Sequence, residues 1–396
     1  MKIKKLCLLI TTTILFFNIK NSNIVFANEN TIIKNSTNTV INKNDSNIIN
    51  IPDKNLKKVL NKNLKQEENS DISLGQLKTI QYLITGAENI SNISGLEYCT
   101  NLKVLDLSNH RDANKNKYND IKDISVLKNL KNLEVLNIES NQISDLSPIS
   151  NLENLTQINA GGNIINNIFS ISRLKKLKTL LLFDNNITDL LPLKNLTSLK
   201  TLILSNNNIT DLSPLKNLQE LQNLDLSNNK INKLGPLKNL NKLHNLNLNN
   251  NEIASLLPLK NCLNLFYLKL ENNKIKDITP LKDLDKLYFI YLNGNMISNI
   301  SVLLDKTVNA YIGNQTITIR NFKFNDSLKI NIPLDENFPI KINNITNNGV
   351  FQNNSIEWTG LSRNDELLFE FKQDIKNDES SILYNGTVVI KFIKDF

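Results

Sequence analysis

Few residues in this sequence have the types and the spacing that catalysis or metal binding requires. The only two histidines, His110 and His244, lie six sequence repeats apart, so they cannot share a metal ion or relay a proton. The chain has no glycine-rich phosphate loop, no nucleophile elbow and no Cys-x-x-Cys pair. The region after residue 304 contains no cysteine, which argues against repeat proteins with a catalytic Cys in a C-terminal domain. We therefore expect no enzyme activity, no cofactor and no metal site.

One polar column could still bind a cation. An aspartate recurs two residues after the isoleucine of each of several repeats, and carboxylates from successive repeats could hold a metal ion at the outer edge. The alternative is that each carboxylate caps the turn that follows it. Asn167 and Asn299 take the same place, which suits capping, and we favour that interpretation. The column comprises Asp123, Asp145, Asp189, Asp211 and Asp277.

A 22-residue repeat organises most of the chain and would position any binding residues. One repeat reads L-x-x-L-x-L-x-x-N-x-I-x-x-L-x-P-L-x-x-L-x-x, and ten repeats run from Ile80 to about Ser301. One of them carries nine extra residues, at His110 to Tyr118. The first leucines of six consecutive repeats are Leu177, Leu199, Leu221, Leu243, Leu265 and Leu287.

The spacing within a repeat predicts its local structure. The Leu-x-Leu step has the two-residue period of a strand, and the later apolar residues are spaced by three, as in a 3₁₀ turn that begins near a proline. No single repeat can bury its apolar edge, so stacked repeats must share one core. The fold class we predict is an α/β solenoid whose 22-residue leucine-rich repeats form a curved parallel sheet on the inner face of an arc.

Two further columns are interpreted as structural. An asparagine recurs where the chain turns after each strand, and its carboxamide can satisfy backbone groups that the sheet leaves unpaired. Cys99 and Cys262 each occupy a leucine slot seven repeats apart, so we expect two buried apolar side chains and no disulfide between them. The asparagine column comprises Asn141, Asn163, Asn185, Asn207, Asn229, Asn251, Asn273 and Asn295.

We expect the residues that select a binding partner on the inner face, at the positions beside the inward leucines. Most of these residues are small and polar, but two patches differ. An aromatic patch of Tyr267, Phe289 and Tyr291, flanked by Lys269 and Glu271, has the composition of a binding hot spot. The alternative is that the C-terminal domain covers it. The second patch is apolar and comprises Leu181, Phe183 and Ile203.

The segments that flank the repeats predict export and two caps. Lys2, Lys4 and Lys5 precede an apolar run from Leu6 to Phe17, too short to cross a bilayer, and Val25-Phe26-Ala27 fits a signal-peptidase site. A retained anchor is the alternative. We predict a signal peptide at 1–27, a flexible leader at 28–49, a helical cap at 50–79, repeats at 80–303 and an all-β immunoglobulin-like (Ig-like) sandwich at 304–396. Within the sandwich, Asn385-Gly386 is interpreted as a turn that begins a strand, and Trp358 as a core residue.

The charge of the chain gives no sign of nucleic-acid binding. The formal net charge is +8, and removing the four lysines of the signal peptide would leave +4, spread over interleaved lysines and acids. With no apolar segment left after export that could span a membrane, we expect a secreted monomer; loose association with a cell surface is the alternative.

The sequence resembles the internalin family, whose members are exported leucine-rich-repeat proteins of Gram-positive bacteria. Three features carry the resemblance: the I-x-x-L-x-P-L step of the repeat, a cap that opens with Ile51-Pro52-Asp53, and a sandwich entered through Asn314-Gln315. The resemblance covers roughly residues 51–396. It implies recognition of a host cell-surface or extracellular protein through the concave face, and hence a role in adhesion and virulence. No Leu-Pro-x-Thr-Gly sorting signal precedes Phe396, so we expect a released protein. The alternative is a glycan-binding or structural protein of the bacterial envelope.

Overall fold

A computed structural model describes residues 43–109, 118–322, 325–332, 340–362, 365–376 and 381–392. The predicted signal peptide, most of the predicted leader and nearly all of the insertion at His110 to Tyr118 lie outside these ranges. Within them, no helix combines the length and the apolar character that a bilayer crossing requires. The described residues divide into two compact units, the first ending at Leu224 and the second beginning at Asp225.

The first unit opens with the predicted helical cap. Helix α1 spans Lys54–Asn63 and helix α2 spans Leu74–Thr79. Leu56 and Leu60 occur four residues apart on one face of α1 and are completely buried. Ser73 caps α2 in a capping box: its hydroxyl accepts from the Gln76 N–H, and the Gln76 side chain accepts from the Ser73 N–H.

Asp53 joins this cap to the first repeat. One carboxylate oxygen accepts from the N–H groups of Asn55 and Leu56 at the start of α1, at 2.9 and 3.1 Å. The other accepts from the N–H groups of Ser91 and Asn92, at 2.9 and 3.1 Å. Burial alone would raise the pKa of Asp53, but these four backbone hydrogen bonds outweigh it, and the pKa is lowered. The Ile51-Pro52-Asp53 motif therefore connects cap and repeats through one side chain.

The repeats of the first unit build a parallel sheet of short strands. Equivalent residues pair in register, as Thr179 does with Thr201 and Leu181 with Ile203. The strands are β1 Tyr82–Ile84, β2 Val104–Asp106, β3 Val135–Asn137, β4 Gln157–Asn159, β5 Thr179–Leu181 and β6 Thr201–Ile203, and β7 Asn223–Asp225 follows at the division between the units. The 3₁₀ turns are Leu96–Tyr98, Ser125–Asn129, Ser147–Ile149, Phe169–Arg173, Leu191–Leu193 and Ser213–Asn217, after an initial turn at Lys43–Ser46.

The asparagine column has the structural role that its spacing predicts. The Asn207 amide donates to the carbonyls of Leu182, Leu204 and Ser205 at 2.9–3.2 Å, and its oxygen accepts from the Ile187 N–H at 2.9 Å. The side chain thereby satisfies the hydrogen-bonding groups of the backbone in two neighbouring repeats. Beyond the eight predicted members, two more residues make the equivalent bonds: Asn119, which follows the insertion, and Gln315 in the second unit.

The second unit begins with three further parallel strands, and their sheet continues into the C-terminal domain. The three strands are β8 Asn245–Asn247, β9 Tyr267–Lys269 and β10 Phe289–Tyr291, and the sheet continues into β11 Asn309–Phe322. The 3₁₀ turns of this unit are Gly235–Leu237, Leu257–Asn261, Thr279–Leu281 and Ser301–Leu303. Strand β11 pairs in parallel with β10, matching Tyr311 to Tyr291, and also pairs in parallel with the last strand of the chain. Repeats and C-terminal domain therefore share one sheet within this unit.

The C-terminal domain is the predicted Ig-like sandwich. Strands β13 Lys341–Asn343, β16 Leu367–Lys376 and β17 Ser381–Phe392 extend the sheet that contains β11. A second, antiparallel sheet has the order β12 Ser327–Asn331, β15 Ser355–Thr359 and β14 Val350–Gln352. Trp358 is fully buried, as predicted, and its indole N–H donates to the Thr346 carbonyl at 2.8 Å. Buried Tyr384 donates its hydroxyl to the carbonyl of Ile297 in the last repeat, at 2.9 Å.

The interpretation of Asn385-Gly386 as a turn is wrong. Both residues lie inside β17, where Asn385 pairs with Lys372 and Gly386 with Phe371. Glycine is required there because β17 approaches β11 closely: a Cβ atom at Gly386 would lie 2.3 Å from the Gln315 carbonyl oxygen. The Asn-Gly pair therefore marks close contact between two strands and not a hairpin.

Candidate functional site

The aspartate column caps turns, as favoured from the sequence. In each member one carboxylate oxygen accepts from the N–H two residues further on, for example Ser213 N–H to Asp211 at 2.9 Å. The hydroxyl and N–H of Ser213 lower the pKa of Asp211 by stabilising its charged form. Asn167 and Asn299 make the same bond, which needs no negative charge. Within the described ranges no group of three His, Cys, Asp or Glu side chains could hold a metal ion.

The two described cysteines are poorly placed to act as nucleophiles. Cys99 and Cys262 are buried and unpaired, as predicted, and burial raises the pKa of Cys99 to about 12 and that of Cys262 to about 11. A thiol in such a site is not an effective nucleophile at neutral pH. Burial also lowers the pKa of His244, although its bond with the Asn264 carbonyl opposes the shift. His110 lies outside the described residues.

The predicted apolar patch differs from expectation in its exposure. Leu181 and Ile203 are buried, at 1 % and 2 % exposure, and only Phe183 is partly accessible. Expecting them to stand exposed was wrong, because strands about 4.8 Å apart press equivalent side chains against one another. The Phe183 ring also lies over Gly161, where a Cβ atom would come within 2.4 Å of it. Most of this patch therefore packs within the sheet and is not accessible to a partner.

The predicted aromatic patch does form one cluster. The ring of Tyr267 lies 5.9 Å from that of Phe289 and 5.5 Å from that of Tyr291, between centroids, in tilted geometry. Phe289 and Tyr291 are partly exposed, whereas Tyr267 is only 6 % exposed, so its predicted exposure was wrong. Burial raises the pKa of Tyr267, with a further contribution from Tyr291, to which its hydroxyl is hydrogen-bonded. Tyr267 thus supports the two rings beside it.

The two charged residues of the patch have different roles. The ammonium group of Lys269 lies 5.6 Å from the ring centroid of Tyr267 and 5.4 Å from that of Tyr291, within cation–π range. The Glu271 carboxylate accepts from the amides of Asn249 and Asn293, at 2.7 and 2.6 Å, in the repeats on either side. Lys269 therefore presents a partly exposed cation, while Glu271 ties neighbouring repeats together.

The structure adds rings that the sequence analysis missed. Tyr311, on β11, is 42 % exposed and stacks on Tyr291, with centroids 4.9 Å apart and planes 11° apart. A second row stacks along the starts of β8 to β10: His244 on Phe266 at 5.3 Å and Phe266 on Tyr288 at 5.6 Å. Tyr288 meets Phe289 edge to face at 4.8 Å and joins the two rows. These contacts define the aromatic face: His244, Phe266, Tyr267, Tyr288, Phe289, Tyr291 and Tyr311.

The rings of the aromatic face form one set of mutually packed side chains, most of them partly exposed. Its rings support one another before any partner arrives, so little side-chain entropy remains to be lost on binding. The inward positions of the same strands, such as Leu268 and Ile290, are fully buried and belong to the core. A rigid, partly exposed aromatic surface with a central cation suits recognition of another macromolecule.

Fold and surface together define a leucine-rich-repeat protein with an Ig-like C-terminal domain. Family models agree: Leucine Rich repeats (2 copies) matches residues 175–217, and LRR adjacent matches residues 339–390. A search of curated proteins found no match. Among solved structures, an internalin (inlF) of Listeria monocytogenes is 30 % identical, with 67 % of this chain and 84 % of that chain covered and a TM-score of 0.59.

A second solved structure, internalin C2 (inlC2) of the same organism, is also 30 % identical, with 61 % of this chain and 93 % of that chain covered and a TM-score of 0.48. The extent and identity of the match to the first of these structures establish the family. The chain belongs to the internalins, in agreement with the resemblance seen in its sequence.

Proposed function

We propose that this chain is an exported binding protein that recognises a cell-surface or extracellular protein of a host through the aromatic face. The observation that carries the proposal is the continuous set of ring contacts from His244 to Tyr311. Aromatic side chains at the centre of an interface contribute most of the binding energy in many protein complexes. Lys269, within cation–π range of Tyr267 and Tyr291, adds a positively charged group beside the rings.

A pull-down with the chain from residue 28 onward tests this function. The bait is incubated separately with solubilised host-cell membranes and with bacterial wall fragments. We expect one host protein to be retained by the parent chain and lost with the double variant Phe289→Ala, Tyr291→Ala. Retention by wall fragments alone, unaffected by the double variant, would instead favour the alternative of an envelope protein that binds glycan.

Export is a separate prediction. The positive segment, the short apolar run and Val25-Phe26-Ala27 place cleavage after Ala27. Protein recovered from the culture medium should therefore begin at Asn28, as N-terminal sequencing would show. Full-length protein in the cytosol, with residues 1–27 intact, would contradict export. It would then also contradict the proposed binding to a host protein.

A further inference from the structure

Lysines form a column on the side of the repeats that carries the 3₁₀ turns. In five consecutive repeats the residue after the turn leucine is lysine, and the first four of these lysines are followed by asparagine. The column comprises Lys194, Lys216, Lys238, Lys260 and Lys282. Lys238, Lys260 and Lys282 belong to the second unit, where all three are exposed. They are called the lysine stripe below.

The lysine stripe is electrostatically unbalanced. Its three members make no ion pair within the part of the chain that the structure describes, whereas Lys274 in the same repeats pairs with Glu252 at 2.9 Å. Residues 226–251 contain four lysines and neither aspartate nor glutamate. The nearest acids in sequence, Asp277 and Asp283, flank only the last member. Positive charge therefore recurs at each repeat, with no acid within seven residues of Lys238 or Lys260, whereas Asp277 and Asp283 lie close to Lys282 in sequence.

The fold does not require these lysines. A cation near the end of a turn interacts favourably with its carbonyl groups, which is the simplest structural explanation for the column. The equivalent turns at Ser147–Ile149 and Ser301–Leu303 form equally well with Ser150 and Leu304 in the lysine position. An explanation confined to the stability of the turn therefore does not account for lysine in five repeats in a row.

We propose that the lysine stripe binds a sulfated polysaccharide, at a site separate from the aromatic face. A linear polyanion with repeating charges matches cations that recur once per repeat. The exposed amides of Asn239 and Asn261, beside Lys238 and Lys260, both donate and accept hydrogen bonds, as sugar hydroxyl groups require. A polyphosphate chain offers acceptors only, and arginine, which suits bidentate phosphate binding, is absent from the stripe.

Binding to heparin tests the proposal on the full exported chain. The stripe variant Lys238→Gln, Lys260→Gln, Lys282→Gln should lose at least about tenfold in affinity at low salt. The slope of log K against log salt concentration should become less negative by about two. The matched control Lys274→Gln, Lys276→Gln, Lys286→Gln removes the same charge from the repeat that begins at Leu265 and should lose no more than about threefold. Equal losses in the two variants would overturn the site, because net charge alone would then explain binding.

A second arm tests the sugar. Asn239→Ala with Asn261→Ala should weaken heparin binding severalfold and leave polyphosphate binding unchanged. If the parent chain binds polyphosphate of equal charge as tightly as heparin, the ligand is not defined by sugar hydroxyls and that part of the proposal is wrong. Circular dichroism melting checks that each variant is folded, and exposed substitutions of this kind should barely shift the Tm. Phe289→Ala with Tyr291→Ala should leave heparin binding intact, which separates this proposal from the proposed protein site.

Discussion

Replacing Asn207 with leucine is expected to lower the free energy of unfolding by about 3 to 5 kcal/mol, although leucine is more hydrophobic and similar in volume. The substitution removes three donated bonds and one accepted bond, leaving the Leu182 and Leu204 carbonyls and the Ile187 N–H without this partner in a dry interior. Each buried polar group left unsatisfied costs roughly 1 to 3 kcal/mol. Thermal and urea unfolding, followed by circular dichroism, would measure the loss.

Asn195→Leu is the matched control, because it makes the same chemical change at an exposed position in the adjoining turn. Its effect on the unfolding free energy should stay within about 0.5 kcal/mol. If the two variants unfolded at the same temperature and urea concentration as the parent, the asparagine column would not hold the turns together. A loss confined to Asn207→Leu would show that hydrogen bonding, and not apolar burial, is limiting there.

The repeats could be predicted because the spacing of the residues and their side-chain types indicate the same buried positions. A strand alternates with period two and a 3₁₀ turn with period three, so Leu202, Leu204 and Ile209 identify the buried side of each element without any coordinates. The asparagine column follows from the same register, since the turn always leaves the same backbone groups unpaired. Local rules thus fixed the core wherever the period is intact.

Exposure could not be predicted in the same way, because it depends on neighbours in space. Leu181, Ile203 and Tyr267 lie beside the inward leucines, where the pattern suggests accessible positions, but side chains from adjacent strands cover them. Their burial follows from the size of the neighbouring residues: Tyr267 is covered by Phe289, Tyr291 and Lys269, whereas small residues would have left it open. Single-residue patterns do not contain that information.

Two parts of the aromatic face were missed from the sequence, for different reasons. His244, Phe266 and Tyr288 are 22 residues apart, so the repeat register could have revealed the second row had its position been compared across repeats. Tyr311 follows Tyr291 by 20 residues, because the sheet continues into a strand that belongs to no repeat. Gln315 extends the asparagine column for the same reason, with a longer side chain after a shift in register.

Alanine at Phe289 and Tyr291 is expected to weaken binding of the protein recovered by pull-down by about 2 kcal/mol or more at the better position, roughly thirtyfold in Kd. Both rings are partly exposed and pack against rings that remain, so the surface loses contact area without losing the inward Leu268, Ile290 and Leu292. Tyr267→Ala should reduce stability as well, since this ring is nearly buried. Surface plasmon resonance and thermal melting, measured on the same samples, separate the two effects.

The control for ring loss is Tyr98→Ala, because Tyr98 is 37 % exposed in the turn Leu96–Tyr98 and lies in a repeat outside the aromatic face. It should leave the Kd unchanged. Tyr311→Ala should weaken binding as Tyr291→Ala does if the C-terminal strand β11 contributes to the surface, since the two rings stack at 4.9 Å. Parent-like affinity in the double variant would exclude the aromatic face and make the partly accessible Phe183 the next residue to test. Lower affinity that tracks only a lower Tm would mean that the rings stabilise the sheet, and that recognition takes place on another surface of the repeats.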